Sequence, residues 1–335
     1  MNPRQHECGG LATTVKEPVK VAVLDDYQGV ATEMADWSIL DARAEVTVFR
    51  DHLSDERAVV ERLRPFDCVC VMRERTPMSG PILEQLPNLK LIASTGARNA
   101  AIDLAAAKAR GITVCNTGYN RHANGAAELT WALILGLLRN LPGENASMRS
   151  GGWQVSVGGD LTGKTMGVLG LGQIGTSVTR VARAFGMEVI AWSQNLTREK
   201  ADERGARLVT KEELFREADI VTIHLVLGPR TRGLVGAAEL ALMKPESYLI
   251  NTSRGPIVDE NALLDALRRR TIAGAAVDVY DVEPLPASHP FRTLDNLLTT
   301  PHIGFVTRNT YRTFYRDTVE NIAAWLDGKP IRVVE

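Results

Sequence analysis

Short runs of β-branched and apolar residues alternate along this chain with longer stretches whose apolar positions recur at helical spacing. "KVAVLDD" (20–26), "EVTVF" (45–49), "CVCVM" (68–72), "LKLIAST" (89–95) and "ITVCNT" (112–117) read as strands. "DERAVVERLR" (55–64) and "AIDLAAAKARG" (101–111) between them carry helical spacing. "AAELTWALILGLLRNL" (126–141) is apolar almost all round, so it predicts a helix covered on several sides, at a domain junction or a subunit interface. A second alternating series follows: "TMGVLG" (165–170), "EVIAW" (188–192), "IVTIHLV" (220–226), "SYLINTS" (247–253), "AGAAVDVY" (273–280) and "NLLTTPHI" (296–303). Strand and helix in alternation predict α/β architecture: two doubly wound parallel-sheet domains with a cleft between them. The closing stretch, 307–328, reads as a helix stopped by Gly328 that returns to the first unit.

Length and composition narrow the picture. A chain of 335 residues suits two cores better than one. A formal net charge of −1 offers no basic surplus for nucleic acid or anionic lipid. No apolar run is long enough to span a bilayer. Residues 1–18 read as a polar lead-in with no secretory signal. Cys8, Cys68, Cys70 and Cys115 form no CxxC pair, so buried thiols in a reducing compartment are expected rather than a disulfide frame or zinc site. A cytoplasmic protein without a metal is the expectation.

The chemistry begins at "GVLGLGQIG". GxGxxG falls on Gly170, Gly172 and Gly175, after an apolar strand and before a helical stretch that includes Gln173 and Ile174. That context suits a dinucleotide: a tight turn, a close approach to pyrophosphate and a helix N-terminus facing the phosphate. An acid is expected where the next strand ends, to hold the ribose hydroxyls. Ser193 stands there instead, and it does not repel a 2′-phosphate as aspartate does. Arg198, five residues on, either turns toward such a phosphate or stays in solvent. The cofactor is thus NAD or NADP, with its phosphorylation state open.

Three polar residues close successive strands: Arg254 in "NTSRGPIVDE", Glu283 in "DVYDVEP" and His302 in "TPHIG". Ligands bind beyond the carboxyl ends of parallel strands. A histidine can move the proton that accompanies hydride transfer, a carboxylate can support its charged form, and a guanidinium can hold a substrate carboxylate or carbonyl. In the first unit, Arg73 and Arg75 lie two apart at a strand end and are expected to face the same way.

These motifs resemble the D-isomer-specific 2-hydroxyacid dehydrogenase family, which includes D-3-phosphoglycerate dehydrogenases and hydroxypyruvate reductases. "GVLGLGQIG", "LALMKPESYLINTSRGPIVDENALLDAL", "GAAVDVYDVEPLP" and "LLTTPHIG" carry the likeness, which runs from about residue 20 to 330. The resemblance implies a Rossmann-type cofactor domain at 118–305 and a flavodoxin-like substrate domain at 19–117 plus 306–335. It implies that Arg254 meets substrate, that Glu283 pairs with the acid/base His302 and that Asp278 meets the nicotinamide amide. Thr252 and His224 would line the cofactor site. Arg73 and Arg75 match an "RxRT" setting that holds an anionic substrate. Gly96, Ala97 and Arg98 fall on the loop whose backbone amides receive the carboxylate, and Arg98 either adds charge there or pairs elsewhere.

The chain departs from the family at Ser193 and at Val226, where most members carry proline. Tyr119 and His122 are expected to be structural. The chain ends soon after the closing helix, so a C-terminal regulatory domain is not expected. The implied partners are a small anionic 2-keto or 2-hydroxy acid and a second copy of the chain, joined through the cofactor domain. A dinucleotide-sensing corepressor with little turnover is the alternative. Formate dehydrogenase is disfavoured, because that branch has glutamine at the position of Glu283, and phosphite oxidation stays compatible with the three residues.

Overall fold

A computed structural model of the chain describes residues 17–118 and 124–334. The expectations for Cys8, for Tyr119 and His122, and for nearly all of the 1–18 lead-in lie outside the described residues. The chain divides into two compact units, residues 1–120 with 311–335 and residues 121–310.

The first unit holds a five-stranded sheet: β1 (Val19–Val23), β2 (Ala44–Val48), β3 (Cys68–Val71), β4 (Leu91–Ser94) and β5 (Thr113–Asn116). All pairs are parallel, in the order β2-β1-β3-β4-β5. Alternate residues Val69, Val71, Ile92 and Val114 enter one apolar cluster, and the opposite set Cys68, Cys70, Leu91 and Cys115 is buried too. Both faces are therefore covered, as a parallel sheet requires. The thiols of Cys68, Cys70 and Cys115 are free and buried, and burial raises Cys115 to about 11.

The closing helix, Arg308–Leu326, is tied to this sheet by side chains. Asp317, almost fully buried, accepts from the Gly118 amide at 2.7 Å, and Asn321 Nδ2 donates to the Asn116 carbonyl at 2.9 Å. Those bonds make the first unit discontinuous in sequence.

The second unit holds seven parallel strands: β6 (Thr165–Leu169), β7 (Glu188–Trp192), β8 (Arg207–Leu208), β9 (Ile220–Ile223), β10 (Tyr248–Asn251), β11 (Gly274–Val277) and β12 (Leu297–Thr299). Their order is β12-β11-β10-β9-β6-β7-β8. Counted from β6, the first six are the 3-2-1-4-5-6 order of dinucleotide-binding sheets, with one strand added at the far edge. Leu169, Val221, Leu249 and Ala275 face one core cluster while Met166, Val168, Ile250 and Ala276 face the other. The order reverses between β6 and β9, so their carboxyl ends open a crevice there.

The apolar helix Gly125–Leu138 belongs to this second unit. Ala127, Trp131, Leu133 and Ile134 pack in the cluster that also holds Leu161, Met166 and Val178. Leu129, Leu135, Leu137 and Leu138 of the same helix are only partly buried against that cluster. The sequence does not announce the helix after it, Leu141–Arg149, because that helix buries no residue and carries no apolar stripe. No helix among the described residues is long and apolar enough to cross a membrane.

Candidate active site

β6 ends at Leu169 and the chain turns at once through Gly170, whose φ of 96° is left-handed. A Cβ there would lie 2.7 Å from the His224 carbonyl oxygen, at the end of neighbouring β9. Gly175, in the first turn of the helix Gln173–Ala184, is equally constrained: its Cβ would lie 2.2 Å from the Gly170 carbonyl oxygen. Gly172 differs. A Cβ there meets no protein atom within 4 Å, so protein packing does not demand glycine. A side chain at 172 would instead obstruct a ligand approaching the helix N-terminus, which no side chain caps. Uncapped N–H groups and the helix dipole suit pyrophosphate. The residues present therefore fit a dinucleotide. Gln173 is exposed, and Ile174 packs partly on the core.

Further sequence candidates for the cofactor follow the neighbouring strands β9 and β7. His224 Nε2 meets Thr222 Oγ1 at 2.9 Å, and burial pushes its pKa down to about 4. The ring is thus neutral near pH 7 and acts as a hydrogen-bonding group. Ser193 follows β7, half-buried, and its hydroxyl has no partner among the described residues. Arg198 opens the helix Arg198–Glu203 and is exposed, as is Val226 at 87%.

His302 and Glu283 meet. His302 Nδ1 lies 2.5 Å from Glu283 Oε2, while Glu283 Oε1 accepts from the Tyr280 amide at 2.9 Å. With Nδ1–H donating to the carboxylate, Nε2 is the ring atom left to exchange a proton with substrate. His302 itself has a left-handed φ of 51°. The loop that carries it is gripped by Asp278, which is 0% exposed. Asp278 Oδ1 accepts from Thr300 Oγ1 at 2.7 Å and the Ile303 amide at 2.8 Å, and Oδ2 accepts from the Gly304 amide at 2.8 Å. Burial raises the Asp278 pKa against the lowering pull of those three donors.

Tyr280, which sequence reasoning passed over, adds a bond from its hydroxyl to the Thr300 carbonyl at 2.8 Å. Arg254 lies on the loop after β10, beside Gly255. A Cβ on Gly255 would lie 2.1 Å from the Tyr280 carbonyl carbon, so the Arg254 loop presses directly on the segment leading to Glu283. Thr252, on the same loop, bonds Thr130 Oγ1 at 2.8 Å. Thr130 donates to the Ala126 carbonyl, so Thr252 is the donor between them. Among the described residues no three His, Cys, Asp or Glu side chains gather as a metal site.

The arginines of the first unit do not follow the strand rule. β3 stops at Val71, and Arg73 has a left-handed φ of 55°, so the two-residue period that would align Arg73 with Arg75 is broken. Arg73 Nη1 donates to the Arg98 carbonyl at 3.3 Å, while Arg75 Nη1 donates to the Asp25 carbonyl at 2.7 Å. The Gly96 amide is bonded to Thr117 Oγ1 at 2.7 Å. The Ala97 and Arg98 amides have no acceptor among the described residues, and both residues are exposed.

The profile described as "D-isomer specific 2-hydroxyacid dehydrogenase, NAD binding domain" matches residues 131–304. A D-3-phosphoglycerate dehydrogenase of Methanocaldococcus jannaschii is 36% identical over 93% of the chain, which spans 58% of that protein's length. A glyoxylate reductase of Aeropyrum pernix is 40% identical over 74% of the chain and 76% of its own length. The solved phosphoglycerate oxidoreductase of Vibrio cholerae superposes with a TM-score of 0.87 at 38% identity, covering 92% of this chain and 99% of that one.

The depressed pKa of His224 has a consequence for stability. It falls from 6.5 to about 4 on folding, so between those values the unfolded chain binds the proton better. Stability therefore drops as pH falls through that window, by up to about 3 kcal/mol. His224→Gln keeps a hydrogen-bonding side chain without the titration. Urea midpoints measured from pH 6.5 to 4 should decline less steeply for this variant, and equal slopes contradict the assignment.

Proposed function

Since the chain belongs to the family of D-isomer specific 2-hydroxyacid dehydrogenases, we propose that it interconverts a D-2-hydroxy acid and its 2-keto acid, with His302 as acid/base. The 2.5 Å contact between His302 and Glu283 carries this reading. Bound at the glycine loop, NAD(H) or NADP(H) supplies or accepts the hydride. In reduction, His302 gives the proton on Nε2 to the substrate oxygen, and in oxidation it takes the proton back. Glu283 orients the ring and balances its charge while it is protonated. Arg254 offers a planar pair of donors to the substrate carboxylate or carbonyl. Asp278 acts by holding the histidine's loop; its full burial and three donors support this role over contact with the nicotinamide amide.

The substrate is small and anionic. The named relatives act on phosphoglycerate and glyoxylate, and the amides of Ala97 and Arg98, with the Arg73 guanidinium bonded to the Arg98 carbonyl, suit a carboxylate, while Arg75 is a second candidate for an anionic group. No observation favours the corepressor reading. A homodimer joined through the cofactor unit is supported by one continuous segment in which Leu141, Met148, Trp153, Val155 and Val157 are all exposed. A reducing, cytoplasmic setting agrees with three buried free thiols.

Replacing His302 by alanine should leave dinucleotide binding nearly intact and cut kcat by about 10²–10⁴-fold. Glu283→Gln should move the fall-off of keto-acid reduction to lower pH, because the protonated ring loses its carboxylate partner. Steady-state kinetics from pH 5 to 9 tests both, and a near-normal His302→Ala rate ends the proposal.

The cofactor's phosphorylation state follows from Ser193, which leaves no acid to repel a 2′-phosphate. NADPH should serve at least as well as NADH, and Ser193→Asp should shift preference to NADH by adding a like charge and a ribose acceptor. The readout is kcat/KM for both cofactors in both proteins. A wild type that strongly prefers NADH refutes it.

A further inference from the structure

A groove in the second unit is lined by Thr176, Arg180 and Arg183 of the helix after the glycine loop and by Glu203, Arg204 and Gly205 from the end of the helix Arg198–Glu203. Three guanidiniums thus face one carboxylate, and none of the three forms an ion pair among the described residues. Arg183 lies against bare backbone: a Cβ on Gly205 would come 2.6 Å from its Nη1. Arg204 reaches furthest. Its Nη1 donates to the carbonyl of Leu171, the residue between Gly170 and Gly172. That bond uses one of five N–H donors, and the others meet no acceptor among the described residues.

Resting on the dinucleotide reading above, we infer that Arg204 recognises the 2′-phosphate of NADP, with Arg180 and Arg183 supplying additional positive field along the groove. The glycine loop is the segment the dinucleotide approaches, and an arginine near it accommodates a 2′-phosphate where the usual acid is missing. Arg204 meets that condition by a bond to the loop itself. Arg198, the residue singled out by spacing, has no bond to the loop. A guanidinium fixed by one donor keeps a planar pair for the phosphate oxygens, and its orientation is set before the ligand arrives.

Binding of adenosine fragments to the full chain separates this role from a purely structural one. By calorimetry at low salt, 2′,5′-ADP should bind the wild type at least tenfold tighter than 5′-AMP. Arg204→Ala should erase most of that difference and leave 5′-AMP affinity unchanged. Arg180→Ala should reduce the difference by a smaller factor, and the difference should shrink as salt is raised. Equal binding of the two fragments by the wild type overturns the inference. So does a parallel loss of both fragments in Arg204→Ala, which would mean that the arginine merely braces the loop. Inorganic pyrophosphate bound without any preference for 2′,5′-ADP also overturns it, because the groove would then serve a free anion. If neither fragment nor NADH binds, the dinucleotide reading falls together with this one.

Discussion

One buried carboxylate governs the geometry on which the chemistry depends. Asp278 lies directly after β11, and its three accepted bonds fix the loop that follows β12. That loop holds His302 in a left-handed backbone conformation, which costs a non-glycine residue about 1–2 kcal/mol and persists only when its surroundings demand it. The same stretch supplies the rest: the Tyr280 hydroxyl holds Thr300, and the Tyr280 amide holds Glu283. Residues 278–283 thereby position both the histidine and the carboxylate that faces it. Gly255 brings the Arg254 loop against the same backbone. Three loops from neighbouring strands are registered against one another by the Asp278 carboxylate, the Tyr280 hydroxyl and the close approach of Gly255 to the Tyr280 backbone.

The glycine loop obeys a parallel logic at the other strands. Gly170 and Gly175 are demanded by neighbouring carbonyls, so they would be glycine in any protein with this turn. Gly172 is demanded by nothing in the protein. Its open side and the uncapped helix beside it are what distinguish a phosphate-binding loop from a structural one. Both functional segments lie at carboxyl ends of strands in one sheet, where the peptide ends and helix N-termini converge.

Most of the strands were legible because a parallel sheet buried on both faces writes itself as continuous apolar runs. β8 escaped because two residues, one of them exposed, make no run. Leu141–Arg149 escaped because a helix that buries nothing has no periodicity to read. At the site, Arg254, Glu283 and His302 were legible from their positions after strands, and the His302–Glu283 pairing came with the family likeness. The Asp278 clamp was not legible as a clamp, since two of its three donors are backbone amides, which every residue possesses. The expected alignment of Arg73 and Arg75 failed for a local reason: the strand ends before them and the chain turns left-handed. Arg204 was invisible because its reach to Leu171 joins residues 33 apart through a side chain on another element.

In the proposed reaction Glu283 fixes the His302 ring so that Nε2 alone trades the catalytic proton. Side-chain ¹⁵N shifts of His302, followed through its titration, read that arrangement directly. Nδ1 should stay protonated in both the charged and the neutral ring, with Nε2 the only nitrogen that changes. A neutral ring carrying its proton on Nε2, with Nδ1 bare toward Glu283, would contradict it.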